Sequence, residues 1–162
     1  MKRLLIYLAI AVIAIGVFSY WYFRPERVIK RNTLALLSEI SLSPEIGRTG
    51  RIMKGSAIAS YFAAPTTLHS RYDFANGTFE QDEINGGCDM LTQQASSISI
   101  APHDDMVITL AESKATVTLS ADVKAKVAKW IEVVDDTFTI TIHWKKTDKG
   151  WKVTESAWKE LP

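Results

Sequence analysis

Few side chains in this sequence could do chemistry, and their spacing keeps most of them apart. Proton transfer could fall to His69, Asp73, His143 or the phenol of Tyr61, each needing dry surroundings to bring its pKa toward neutrality. Asp104 and Asp105 make a carboxylate pair beside His103. Adjacent residues on an extended chain point apart, however, and no second histidine stands near enough to complete a metal site. Cys88 is the only cysteine, which excludes an internal disulfide; behind Gly86 and Gly87 it reads as a small buried or helix-end residue rather than a nucleophile. Trp130, Trp144, Trp151 and Trp158 could line a pocket for a small apolar ligand or form a protein interface, with core filling as the ordinary use of such residues. There is no phosphate-binding glycine loop, nucleophile elbow or zinc helix motif. The sequence therefore assigns no catalytic residue, metal site or cofactor.

Charge narrows the partners. The chain carries 19 basic and 18 acidic residues, so no nucleic-acid-binding stripe is implied. From Leu4 to Phe23 it runs LLIYLAIAVIAIGVFSYWYF without a charged side chain, and at about 1.5 Å per residue such a helix spans a bilayer core of roughly 30 Å. Tyr20, Trp21 and Tyr22 close the run where amphipathic rings settle at headgroup level. A cleaved signal would end in small residues at an A-x-A-like site, whereas here bulky aromatics lead directly into Arg24 and Pro25. Residues 1–23 are thus expected to be a retained anchor, and residues 24–162 one tethered domain.

Orientation rests on two opposed signals. Arg24, Arg27, Lys30 and Arg31 outnumber Lys2 and Arg3, which by count favours a cytoplasmic domain. The opening MKR with a long apolar run has the form of a bacterial export segment that inserts with its N-terminus inside. The second signal sets the expectation of a periplasmic domain on a bacterial inner membrane. The basic cluster can alternatively be the juxtamembrane end of the next helix, lying against anionic headgroups.

The elements that must position these residues follow from periodicity. Pro25 opens a helix running to about Leu42, with Ile29, Leu36, Leu37 and Ile40 on one face. A second helix is expected over Arg51–Phe62, and a strand over Thr66–Phe74 with His69, Arg71 and Asp73 on its polar side. Asn76 and Gly77 form a turn, and Thr78 with Gln81 has capping-box spacing for a third helix through Ile84, Met90 and Leu91. Long alternating strands follow. Ile98 and Ile100 begin one, which Met106, Ile108 and Leu110 continue past a bulge near Pro102. Next come a strand with Ala115, Val117, Leu119, Ala121 and Val123 inward, and another with Phe138, Ile140, Ile142 and Trp144 inward and His143 outward. After the Asp148–Gly150 turn, a last strand carries Val153 inward. Helices first and a curled antiparallel sheet after them make an α+β cone.

This order, closing in TIHWKKTDKGWKVTESAWKEL, resembles the nuclear transport factor 2-like (SnoaL-like) superfamily over roughly Arg24 to Leu161. The resemblance implies a cone-shaped, cystatin-like domain. The superfamily holds isomerases, dehydratases, cyclases and epoxide hydrolases beside members that only bind partners or build assemblies, so fold does not fix function. Its enzymes place an acid or base, often Asp or His, inside the cone, a role for which Asp73, His69, His143 and Tyr61 are the candidates here. Strand parity sends His69, Asp73 and His143 to the polar side, which favours a binding or assembly module over a small-ligand isomerase or hydrolase. Such domains often pair through the open face of the sheet. A homodimer or protein partner is accordingly expected there, covering the aromatics of the last strands. An anchor followed by a cone is also similar to inner-membrane scaffold subunits of type IV secretion systems, on architecture alone.

Overall fold

The computed structural model describes residues 11–16, 20, 22–71, 75–127 and 133–161. Pro25 cannot donate a backbone hydrogen bond and disfavours helical geometry in the residue before it, so Arg24 is extended (φ −55°, ψ 131°) and helix α1 spans Pro25–Ile40. The helix ends short of Leu42 because Leu42 and Ile98 exchange backbone hydrogen bonds of 2.7 and 2.9 Å. Helix α2 covers Arg48–Ala59, three residues ahead of the expected start. Tyr61 and Phe62 leave it for the sheet, where β1 (Phe62–His69) begins. Strand β2 (Gly77–Phe79) takes up Thr78 as a partner of Thr67. The cap of α3 (Gln81–Gln94) consequently falls two residues later than expected, to a reciprocal Glu80 and Glu83 pair.

Five strands complete the sheet: β3 (Ala95–Pro102), β4 (Val107–Ala111), β5 (Lys114–Val127), β6 (Val133–Thr147) and β7 (Gly150–Glu160). The order is β2-β1-β7-β6-β5-β3, with β4 also on β5; β1 and β7 run parallel, the other neighbours antiparallel. Strands β3 and β4 share one edge of β5, β3 along Ala121–Val127 and β4 along Lys114–Thr118. The residues between them strap Ser120. His103 N–H donates to the Ser120 carbonyl at 2.8 Å, and the Ser120 N–H donates to Asp105 Oδ1 at 2.9 Å.

Alternation sorts the two faces of the sheet. Ala115, Val117, Leu119 and Ala121 of β5 and Phe138, Ile140, Ile142 and Trp144 of β6 are buried against Ile29, Leu36 and Leu37 of α1 and Ile58 of α2. The opposite face is a threonine wall. Thr116, Thr118, Ser120 and Asp122 stand across from His143, Thr141, Thr139 and Thr137.

Candidate functional site

In a cone-shaped domain the ligand space would lie between helices and sheet. Here Trp144 fills that position, 1 % exposed, with Tyr61 edge-on at 6.4 Å between ring centroids. Tyr61 is fixed by its own backbone, since its carbonyl accepts from Val153 N–H at 2.8 Å. Burial, and secondarily the charge of Glu39, raise the Tyr61 phenol above its usual range. Phe138 and Trp158 meet edge-on at 6.4 Å, and the Trp158 indole donates to Ser156 Oγ at 3.0 Å. Trp151 packs on the same cluster. Three of the four singled-out tryptophans thus belong to the helix-facing side of the sheet, leaving the open face to threonine; Trp130 lies outside the described residues.

The two histidine candidates gather on the other face. His143 on β6 stands opposite Glu155 on β7, its Nδ1 3.1 Å from Thr116 Oγ1. His69 on β1 reaches the same carboxylate, Nε2 to Glu155 Oε1 at 3.2 Å. One acidic side chain therefore ties His69 into the row of His143. A shallow groove of about 290 Å³ runs past this row, lined by Lys114, Thr116, His143, Lys145, Thr154 and Glu155. A second, of about 420 Å³, lies between α2 and α3 and is polar, with Ser56, Ser60, Gln81, Asn85 and Asp89 on its walls. Asp73 lies outside the described residues.

Glu155 was not singled out from sequence, and a bulge is the reason. His143 pairs with Glu155 while Trp144 pairs with Val153, so Thr154 is an extra residue on β7 that reverses parity beyond it. Val153 and Ser156, three apart, are accordingly both buried. The odd spacing between Val153 and Trp158 is the sequence signal that could have located it.

The His103–Asp104–Asp105 segment serves the strap. His103 Nε2 sits 3.1 Å from Asp122 Oδ2, whose other oxygen accepts from Thr137 Oγ1 at 2.7 Å. The hydrogen bond to Asp122 raises the His103 pKa, and hydrogen bonds from Ser120 lower that of Asp105. Asp122 is lowered first by Thr137 and then by His103. Cys88 is half-buried against the core, and burial, with Asp89 beside it, pushes its thiol to about 11, so it is protonated at neutral pH.

Among the described residues no helix is long and apolar enough to cross a membrane. Leu4 and Trp21 of the expected anchor lie outside them, while Tyr20, Tyr22 and Phe23 are exposed.

No protein-family model and no curated protein matches the chain. Solved structures do. The "Putative Scytalone Dehydratase" of Novosphingobium aromaticivorans is similar at a TM-score of 0.65 and 13 % identity, over 85 % of this chain and 84 % of that one. An NTF2-like protein from Cytophaga hutchinsonii gives 0.60 at 14 % identity, over 86 % of this chain and 100 % of its own. A protein of unknown function with a cystatin-like fold from Nostoc punctiforme gives 0.55 at 12 %, over 82 % and 91 %. Three helices against a curved sheet, ordered and covered in this way, make the domain one with the NTF2-like, cystatin-like α+β fold.

Proposed function

We propose that this chain is a single-pass, membrane-anchored binding or assembly module that works without a cofactor and is not an acid–base enzyme. The observation that carries this reading is Trp144, which occupies the interior of the cone while His69 and His143 stand on the far side of the sheet. A general base there would lack the dry surroundings that tune such a group. The uncharged run Leu4–Phe23 supports the anchor, and MKR ahead of it supports a bacterial inner membrane with the domain in the periplasm. The threonine wall on β5 and β6 is the surface for the partner, a second copy of this chain or another protein. Membrane fractionation is the test. The full chain is expected in the membrane pellet and resistant to a high-salt wash; a soluble species trimmed at its N-terminus would show a cleaved signal instead. For the binding role, a structure with a small molecule enclosed beside Trp144 and touching Tyr61 would favour the isomerase or hydrolase alternative.

A further inference from the structure

We propose that the exposed stripe of α1 carrying Arg24, Arg27, Lys30 and Arg31 lies on the anionic headgroups of the bilayer that holds the anchor, an inference that rests on the anchored reading above. Arg24, Arg27 and Arg31 stand at i, i+3 and i+7 and so share one face, with Lys30 and Leu34 beside them. The opposite face, Ile29, Thr33, Leu36 and Leu37, is buried in the domain. The stripe therefore points away from the core. Glu26 is the only acidic side chain in this stretch.

The chain is broken where the stripe begins. Arg24 is extended, Pro25 starts a new helix, and α1 is therefore not a straight continuation of the apolar run. That break frees α1 to leave the axis of the anchor and follow the membrane surface. Aromatic rings already hold two of the guanidinium groups at this level. Arg31 lies over the Tyr22 ring at 4.3 Å from its centroid and Arg24 over Tyr20 at 5.4 Å. Rings of this kind settle at headgroup depth, so the guanidinium groups they hold would meet lipid phosphate there. From Arg24 to Arg31 the helix advances about 10 Å, enough for more than one headgroup. Each basic side chain near such a surface adds about five-fold in affinity. The domain would then stand in a fixed pose, its α1 side against the bilayer and its threonine wall free.

The test uses the full chain in nanodiscs, with a nitroxide on Leu34→Cys in a Cys88→Ser background. Discs of phosphatidylcholine are compared with discs in which about one third of the lipid is phosphatidylglycerol. In the anionic discs the label is expected to lose contact with a soluble nickel chelate. Salt at about 0.5 M, where the screening length falls to roughly 4 Å, should restore that contact. The neutralised pair Arg27→Gln and Arg31→Gln should abolish the shielding while leaving the circular dichroism spectrum unchanged. Equal exposure of the label in both lipids overturns the proposal, as does the same shielding by inorganic phosphate over neutral discs. The tether is read separately, by flotation with neutral phosphatidylcholine vesicles at high salt. A chain that floats but ignores phosphatidylglycerol overturns the docking and spares the tether; one that stays soluble overturns both.

Discussion

Trp144 shows how one side chain can decide between a pocket and a core. It is buried in the cluster shared by α1, α2 and the sheet, and its indole N–H finds no acceptor among the described residues. Trp144→Ala is expected to cost about 3–5 kcal/mol through lost burial and a residual cavity. Trp144→Phe should cost less, because it removes the unpartnered donor together with part of the volume. Urea unfolding of both variants measures the difference. His103 tests the strap. Its folded pKa is raised by Asp122, so its contribution to stability is fully present below the ordinary value of 6.5 and is lost as pH rises through the raised one. Asp122 is lowered, so its contribution is present above 3.8 and is lost as pH falls through the depressed value. An NMR titration should place the His103 midpoint above 6.5 in the native chain, and Asp122→Asn should return it toward that value.

At the scale of elements, Arg51 is the side chain that joins α2 to the end of α3. Its guanidinium donates to the Thr92 carbonyl at 2.8 Å and also to that of Ala95, while Nε donates to the Ile46 carbonyl at 3.1 Å. The carbonyls of Thr92 and Ala95 are at the C-terminal end of α3, where a cation is doubly favourable, while that of Ile46 precedes α2. Arg51→Ala is expected to lose about 2 kcal/mol, within the range for hydrogen bonds to a charged group. Arg51→Lys should recover little of it, because an ammonium cannot reproduce the planar fork. Chemical denaturation reads both, with the Lys variant separating geometry from charge. The same two helices approach closely at Gly55, where an added Cβ would meet Asp89 Oδ1 at 2.4 Å and the Asp89 backbone at 3.3 Å.

For the whole molecule the open face matters most. It has no covering element among the described residues, and its centre, Thr118 opposite Thr141, lies on the two longest strands. The domain without residues 1–23 is expected to be soluble and to self-associate in light scattering. Thr118→Arg alone should leave the unfolding free energy within about 1 kcal/mol of the parent and convert the species to monomer. A monomer in the parent at high concentration would remove the open face as a pairing surface.

Much of this was legible in the sequence because it depends on neighbours in the chain. A period of two across Ala115–Val123 and Phe138–Trp144 determined which side of the central strands is dry, and placed His143 outward. Pro25 determined the start of α1, and the Asp148–Gly150 turn the last hairpin. What the tertiary structure decided depends on pairing between distant segments. The extra residue at Thr154 brought Glu155 out between His69 and His143, since a bulge is set by the partner strand as much as by the strand that carries it. The claim of β2 on Thr78 moved the α3 cap to Glu80 and Glu83. The helices around Trp144 turned a residue that could have lined a pocket into the filling of the cone, because close packing of an interior is a property of all the elements that enclose it.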